Sequence, residues 1–400
     1  LATNFALINK ATLIFICNGK GVSIDFLAQK SKYSIDKIKR WLDINDKLLP
    51  SIVQAKTLAD CLHIPFASLY MDSKDIPLKS IPSFKNMRTV MNTACNDNSA
   101  INIAIIDVLT AFDFLMETNK ELGIPNFSYI APPSMNSNDP KVWADEIRKY
   151  LDLRIEEQFN LPTARKFYLY LRNKVENKGV FVHCFNGIPV DTVRGFAIFN
   201  NKQPIIGLNA DDRYPAKSFS VIHELVHIIK REPSLCNDNY SSFATLSEEI
   251  FCNAVAGELL VPETTLNVLL LNENCKSPYN LTDIKRMADT FSVSKEVIVR
   301  RLLDIGKIDR NAYEAYSKIL LEELEKQRAQ NRINRVNGVS TSFPPDMGRI
   351  AIDRTSASIC TALYLGYAAD MYSKFDLANH LGIKLDKVDV FLKEAGTWSN

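Results

Sequence analysis

The chain has 400 residues, 46% of them apolar and 24% charged, with a formal net charge of +2. That composition belongs to a folded globular protein and excludes disordered and fibrous classes, and its near-neutral balance leaves any DNA or membrane binding to a local patch. Single cores stop growing beyond about 250 to 300 residues, so two or three domains are expected.

Eight cysteines are scattered with no CxxC pair, the pattern of reduced thiols. Leu1–Lys10 lacks the basic and long apolar stretches of a secretory leader, and no uninterrupted apolar run reaches the roughly 18 residues of a membrane helix. A cytoplasmic protein with no membrane partner is expected.

Residues 4–71 read as short helices, with segments opening at Ser23, Ser34, Ser51 and Pro65, residue types that suit helix starts. The next stretch is rich in Pro, Ser, Lys and Asp and marks a linker over 72–100. A long helical stretch, Ile101–Leu122, and two amphipathic ones, Pro140–Leu151 and Pro162–Val175, come next. Three short β-rich runs then appear, Val180–Phe185, Gly195–Phe199 and Pro204–Leu208, which are expected to pair as a small antiparallel sheet. Beyond Pro262 the chain is helical again, with a charged and Asn-rich segment from Glu322 to Asn337.

Within the apolar helical run Phe219–Ile229, residues 223–227 spell HExxH. Positions i and i+4 share a helical face, so His223 and His227 can reach one ion, while Glu224 is placed to act on water as a base. Packing alone is a poor account of two histidines on an apolar helix, because each needs polar partners. A third ligand would leave one place open on a tetrahedral ion, and the run Leu246–Val261 offers Glu248, Glu249 and Glu258. Glu249 shares a face with Cys252 and Ala256 and is placed to point inward.

Here the chain resembles the ImmA/IrrE metallopeptidases. The family's Phe-Thr-like pair before HExxH is matched by Phe219 and Ser220, and its second helix by Glu249, Cys252, Asn253, Ala256, Glu258, Leu259, Leu260 and Pro262. The resemblance implies Glu249 as third ligand, Glu248 as a solvated neighbour and Glu258 as a weaker candidate. Val226 and Cys252 depart from the family's usual Gly and Ala, and Cys252 introduces a thiol open to oxidation or inhibition.

The implied chemistry is peptide hydrolysis with Zn2+ as cofactor and Glu224 as catalytic base. A donor to the oxyanion is usual in such sites, and Tyr214, Tyr240 and His183 are candidates, with His183 favoured as structural.

Ser23–Asp43 has helix-turn-helix length, with Ile35, Ile38, Trp41 and Leu42 on one face and Ser34, Asp36, Lys37, Lys39 and Arg40 on the other. Residues 1–71 resemble a Cro/repressor-type domain, a common companion of this family, which implies DNA binding through Ser34, Lys37 and Arg40. The acidic neighbours Asp36 and Asp43, with no dense basic stripe, equally suit protein docking. Ile284–Leu303 repeats the cadence, with Arg300 and Arg301 read as a solvated face, and His380 is expected to be exposed or capping.

The expected fold class is α+β, mainly helical. A helix-turn-helix bundle (1–71) and linker (72–100) precede a zincin-like peptidase domain with its small antiparallel sheet (101–265). A helix-turn-helix-like extension (266–310) and a helical carboxyl-terminal region (311–400), exposed near 322–345, follow. The expected function is a zinc endopeptidase that cuts a regulatory protein such as a repressor or toxin-module partner. The alternative is a non-proteolytic DNA-binding or antitoxin-like regulator with a structural zinc; the intact Glu224 favours the enzyme.

Overall fold

The computed structural model describes residues 4–77, 87–91, 98–125, 128–198, 203–231, 246–272, 277–336 and 346–398. The amino-terminal helices are α1 (Lys10–Gly19), α2 (Ile24–Ser31), α3 (Ile35–Leu42) and α4 (Ile52–Leu62). Two of their starts follow the expected chemistry, as the Ser23 hydroxyl accepts from Phe26 N and Ser51 and Gln54 close a capping box, whereas Ser34 precedes α3 without a side-chain cap bond. The segment opened by Pro65 is a 3-10 helix, Phe66–Tyr70, instead of an α-helix. Two lysines fix the helix ends. Lys10 Nζ donates to the carbonyls of Arg40, Asp43 and Asp46, and Lys20 Nζ donates to that of Leu62, satisfying oxygens that a helix end leaves open. Ile38, Trp41, Leu27, Leu58 and Leu13 form a core of their own.

The sheet has the strand order β1-β3-β4-β2, built from β1 (Met87–Met91), β2 (Phe181–Phe185), β3 (Val193–Ile198) and β4 (Ile205–Asn209). The expectation of an antiparallel sheet is corrected: β3 pairs antiparallel to β4 and to β1, but β2 pairs parallel to β4. All five β4 residues are buried, so β4 takes the position between β2 and β3, and two chain reversals return it to the direction of β2.

Alternate residues of the sheet enter different cores. Val182, Cys184, Ala197, Ile206 and Leu208 face one, whereas Phe181, Phe185, Phe196, Ile198 and Ile205 face the other. Phe185 and Phe196 stack 5.4 Å apart, and the Phe196 ring lies over Gly207, where a Cβ would come within 2.3 Å of it. Gly207 therefore has to be glycine.

The remaining helices are α5 (Ser99–Glu121), α6 (Pro140–Leu151), α7 (Ile155–Asn160), α8 (Ala164–Glu176), α9 (Tyr214–Arg231), α10 (Leu246–Leu260), α11 (Glu263–Asn272), α12 (Leu281–Phe291), α13 (Lys295–Asp304), α14 (Arg310–Val336), α15 (Met347–Arg354), α16 (Ala357–Ala368), α17 (Lys374–Leu381) and α18 (Val388–Ala395). Residues of α6, α8, α9, α10, α12 and α13 share the first core, and those of α5 and α15–α18 share the second. By length and composition α5 could cross a bilayer. Here it packs on the sheet, and its Asp107 meets His63 Nδ1 of the amino-terminal bundle at 2.6 Å. The cysteines at 17, 61, 184, 252 and 360 are buried thiols outside any disulfide; Cys95, Cys236 and Cys275 lie outside the described residues.

Candidate metal centre

The centre lies where α9 crosses β3 and meets α10. α9 is anchored near its start by Lys217 Nζ, which donates to the Ala210 carbonyl at the end of the sheet. The carboxyl end of α10 is held by three side chains: Arg148 donates to the Leu259 carbonyl at 2.6 Å, Gln158 to Leu260 at 3.0 Å and Arg301 to Val261 at 3.1 Å. These bonds satisfy buried carbonyls and fix the helix that carries Glu249.

His223, Glu224 and His227 are all buried. The two Nε2 atoms lie 3.0 Å apart, and Glu249 places one oxygen 3.3 Å from His223 Nε2 and the other 3.8 Å from His227 Nε2. Ligands at 2.0 to 2.1 Å from a tetrahedral ion sit about 3.3 Å from one another. The spacing here brackets that value, so His223, His227 and Glu249 form a group that can hold a metal ion. Glu249 is the most open of the three, with its side chain 25% exposed.

Glu224 points toward β3, where a Cβ on Gly195 would lie 3.5 Å from its Oε1. The far nitrogen of His227, Nδ1, faces Cys252 Sγ at 3.2 Å and Glu248 Oε1 at 3.7 Å. Such partners orient an imidazole and set its tautomer. Glu248 is thus not a solvated neighbour: its side chain is 16% exposed and turned to the histidine. Its contact with His227 was not read from the sequence because it adjoins Glu249, and helical spacing alone gave it no inward direction.

Glu258 is committed elsewhere. It ion-pairs with Arg301 and accepts from Glu263 N. This also corrects the reading of Arg301, which is buried while Arg300 stays exposed beside Asp304. Two of the oxyanion candidates are placed away from the centre. Tyr214 starts α9 about 13 Å along the helix from His223, and its hydroxyl donates to Asp353 at 2.5 Å. His183 shares a sheet face with Phe181 and Phe185, opposite α9, and its Nδ1 accepts from Ser356 N. Tyr240 lies outside the described residues.

Ser34, Lys37 and Arg40 are exposed on α3 and its amino-terminal boundary, but Arg40 Nε donates to Asp46 at 2.6 Å, which ties down one of the cations. His380 is exposed and tilted against Phe114, with ring centroids 4.4 Å apart.

Residues 180–303 match the Peptidase M78 family, an IrrE N-terminal-like domain. The matched M78 stretch runs from the start of β2 to the end of α13 and contains all four residues of the centre. It supports the ImmA/IrrE resemblance and a metallopeptidase type of domain. No curated protein and no solved structure matches the chain.

Proposed function

We propose that this chain is a zinc-dependent endopeptidase whose substrate is a protein, with His223, His227 and Glu249 as zinc ligands and Glu224 as the base. The observation that carries the reading is the convergence of two imidazoles and a carboxylate beside a further buried carboxylate, inside the stretch that matches M78. The all-nitrogen and oxygen donor set suits zinc, and three protein ligands leave a fourth place for water or substrate. Bound zinc supplies a Lewis acid that polarises a carbonyl and makes water acidic near neutral pH.

The rest falls to the protein. Glu224 takes the proton of the attacking water and delivers it to the leaving amine. Its burial excludes competing solvent and strengthens its field at the reacting atoms. Cys252 and Glu248 hold His227 so that Nε2 faces the ion. The cut protein is proposed to be regulatory, such as a repressor or a toxin-module partner, and the setting cytoplasmic.

The amino-terminal bundle is assigned to recognition. Its α2–α3 pair, joined by the short turn 32–34, leaves Ser34 and Lys37 exposed for DNA or a protein partner. The Arg40–Asp46 pair favours the protein partner, because it lowers the free positive charge available to phosphate.

The test compares wild type and Glu224→Gln, both zinc-loaded, on the product of a neighbouring gene. The variant should keep its zinc and its partner yet lose about 10² to 10⁴ in cleavage rate. Equal cleavage by both would remove Glu224 from the mechanism, and a shared biological effect without cleavage would favour the regulator.

A further inference from the structure

Beside the metal centre lies a cavity of about 410 Å³. Each element that contributes to the centre also sends a nearby residue into this cavity. β3 sends Arg194, next to Gly195. α9 sends Phe219, one turn before His223. α10 sends Ile250 and Asn253, adjacent to Glu249 and one turn beyond it. The Phe219 and His223 rings stack 6.1 Å apart, so cavity and centre share a wall. Val297 of α13 and Tyr313 of α14 contribute the opposite side.

We propose that this cavity is the subsite for the substrate residue adjoining the scissile bond, and that it selects a large apolar side chain, aromatic or long aliphatic. The proposal rests on the peptidase reading above. Its volume lies within the range of pockets that enclose organic ligands, roughly 300 to 1,000 Å³, more than a small side chain fills. Phe219, Val297 and Tyr313 are half-buried and Ile250 is 52% exposed, so an incoming apolar group would cover surface that water now wets. The cations that line it, Arg194, Arg300 and Arg301, have carboxylate partners in Asp212, Asp304 and Glu258, and with Glu296 also in the lining they exert little pull on an acidic side chain. Asn253 supplies an amide for the substrate backbone.

The experiment uses the zinc-loaded full chain and a peptide mixture varied at the residues flanking one bond, read by mass spectrometry. Phe, Tyr, Leu or Met on one side of the cut should raise kcat/KM by about 10- to 100-fold over Ala. Val297→Trp fills the cavity, and Ile250→Asp places a charge on its exposed lip, where folding is not at risk. Each should lower the Phe-to-Ala ratio of kcat/KM by about tenfold, and Ile250→Asp should also admit Lys and Arg. Cleavage without a flanking preference, or a preference that neither variant moves, overturns the subsite. If no peptide is cut, anisotropy with labelled Phe and Ala peptides decides. A Phe advantage in binding that Val297→Trp removes keeps the cavity as a pocket for a large apolar side chain and rejects the peptidase reading, whereas equal binding rejects both.

Discussion

The two faces of the sheet solve different problems. One presents small and aliphatic residues to α9, and the glycine at position 195 faces the Glu224 carboxylate. The other is aromatic, with Phe181, Phe185 and Phe196 sealed under α5 and the carboxyl-terminal helices. Polar side chains serve the second face as fasteners. Arg172, fully buried, donates to the carbonyls of Ile352 and Thr355, and Glu176 accepts from Ala357 N, Ser358 N and the hydroxyls of Ser356 and Ser358. Glu176 thereby satisfies the start of α16 from another helix altogether, while its charge is balanced by Arg172. The difference teaches that buried charge here has two separate uses: near α9 it is arranged for a ligand, and at the β2 end of the sheet it closes the fold.

Substitutions should separate the two uses. Glu249→Ala removes one of the three proposed ligands and should abolish zinc retention, measured by elemental analysis, with little change in apo-protein stability. Glu176→Ala should do the reverse. It removes the carboxylate that balances the buried charge of Arg172 and should cost about 3 to 5 kcal/mol in a denaturant titration while the three proposed ligands stay in place. A loss of zinc that precedes unfolding in that variant would break the comparison.

Acid should act on the fastening face as well. Burial, with the charge of Arg172, pushes His183 down to about 4 from its ordinary 6.5. The unfolded chain therefore binds the proton first. The contribution of this histidine to stability should be complete above about pH 6.5, fall by on the order of 3 kcal/mol as pH drops toward 4, and level off below. Protonation would also cost the bond that Nδ1 accepts from Ser356 N. His183→Asn should flatten this limb of the melting-temperature profile, and an unchanged limb would exclude the histidine. The smallest effect is expected at Glu248, where Ala should weaken zinc affinity by about 10- to 100-fold and Gln, which still accepts a hydrogen bond, by less. Competition with a chromophoric chelator measures both.

The chemical face was the more legible in the sequence. HExxH carries its own geometry, because spacing on a helix fixes which side chains converge, and the three β-rich runs at 180–208 are strands. Long-range partnership was not legible. Arg301 looked solvated because charge in a helical pattern usually is, yet its partner Glu258 lies 43 residues away on another helix. Likewise the parallel pairing of β2 with β4 depends on which strand takes the central position, a choice made by burial on both faces and not by either strand's own residues. Nothing local in residues 347–395 indicated that they would return to cover Phe181 and Phe185.

That return has a consequence for biosynthesis. The strand residues Phe181 and Phe185 leave the ribosome some 160 to 210 residues before the helices that complete their cover. At about 5 to 20 residues per second the delay is roughly 10 to 40 seconds. Among the described residues, α5 is the one helix of this core already made during that interval, and Glu176 and Arg172 wait for backbone that has not yet been made. The nascent chain thus passes through a long interval with a sticky half-covered sheet, the kind of surface that chaperones hold.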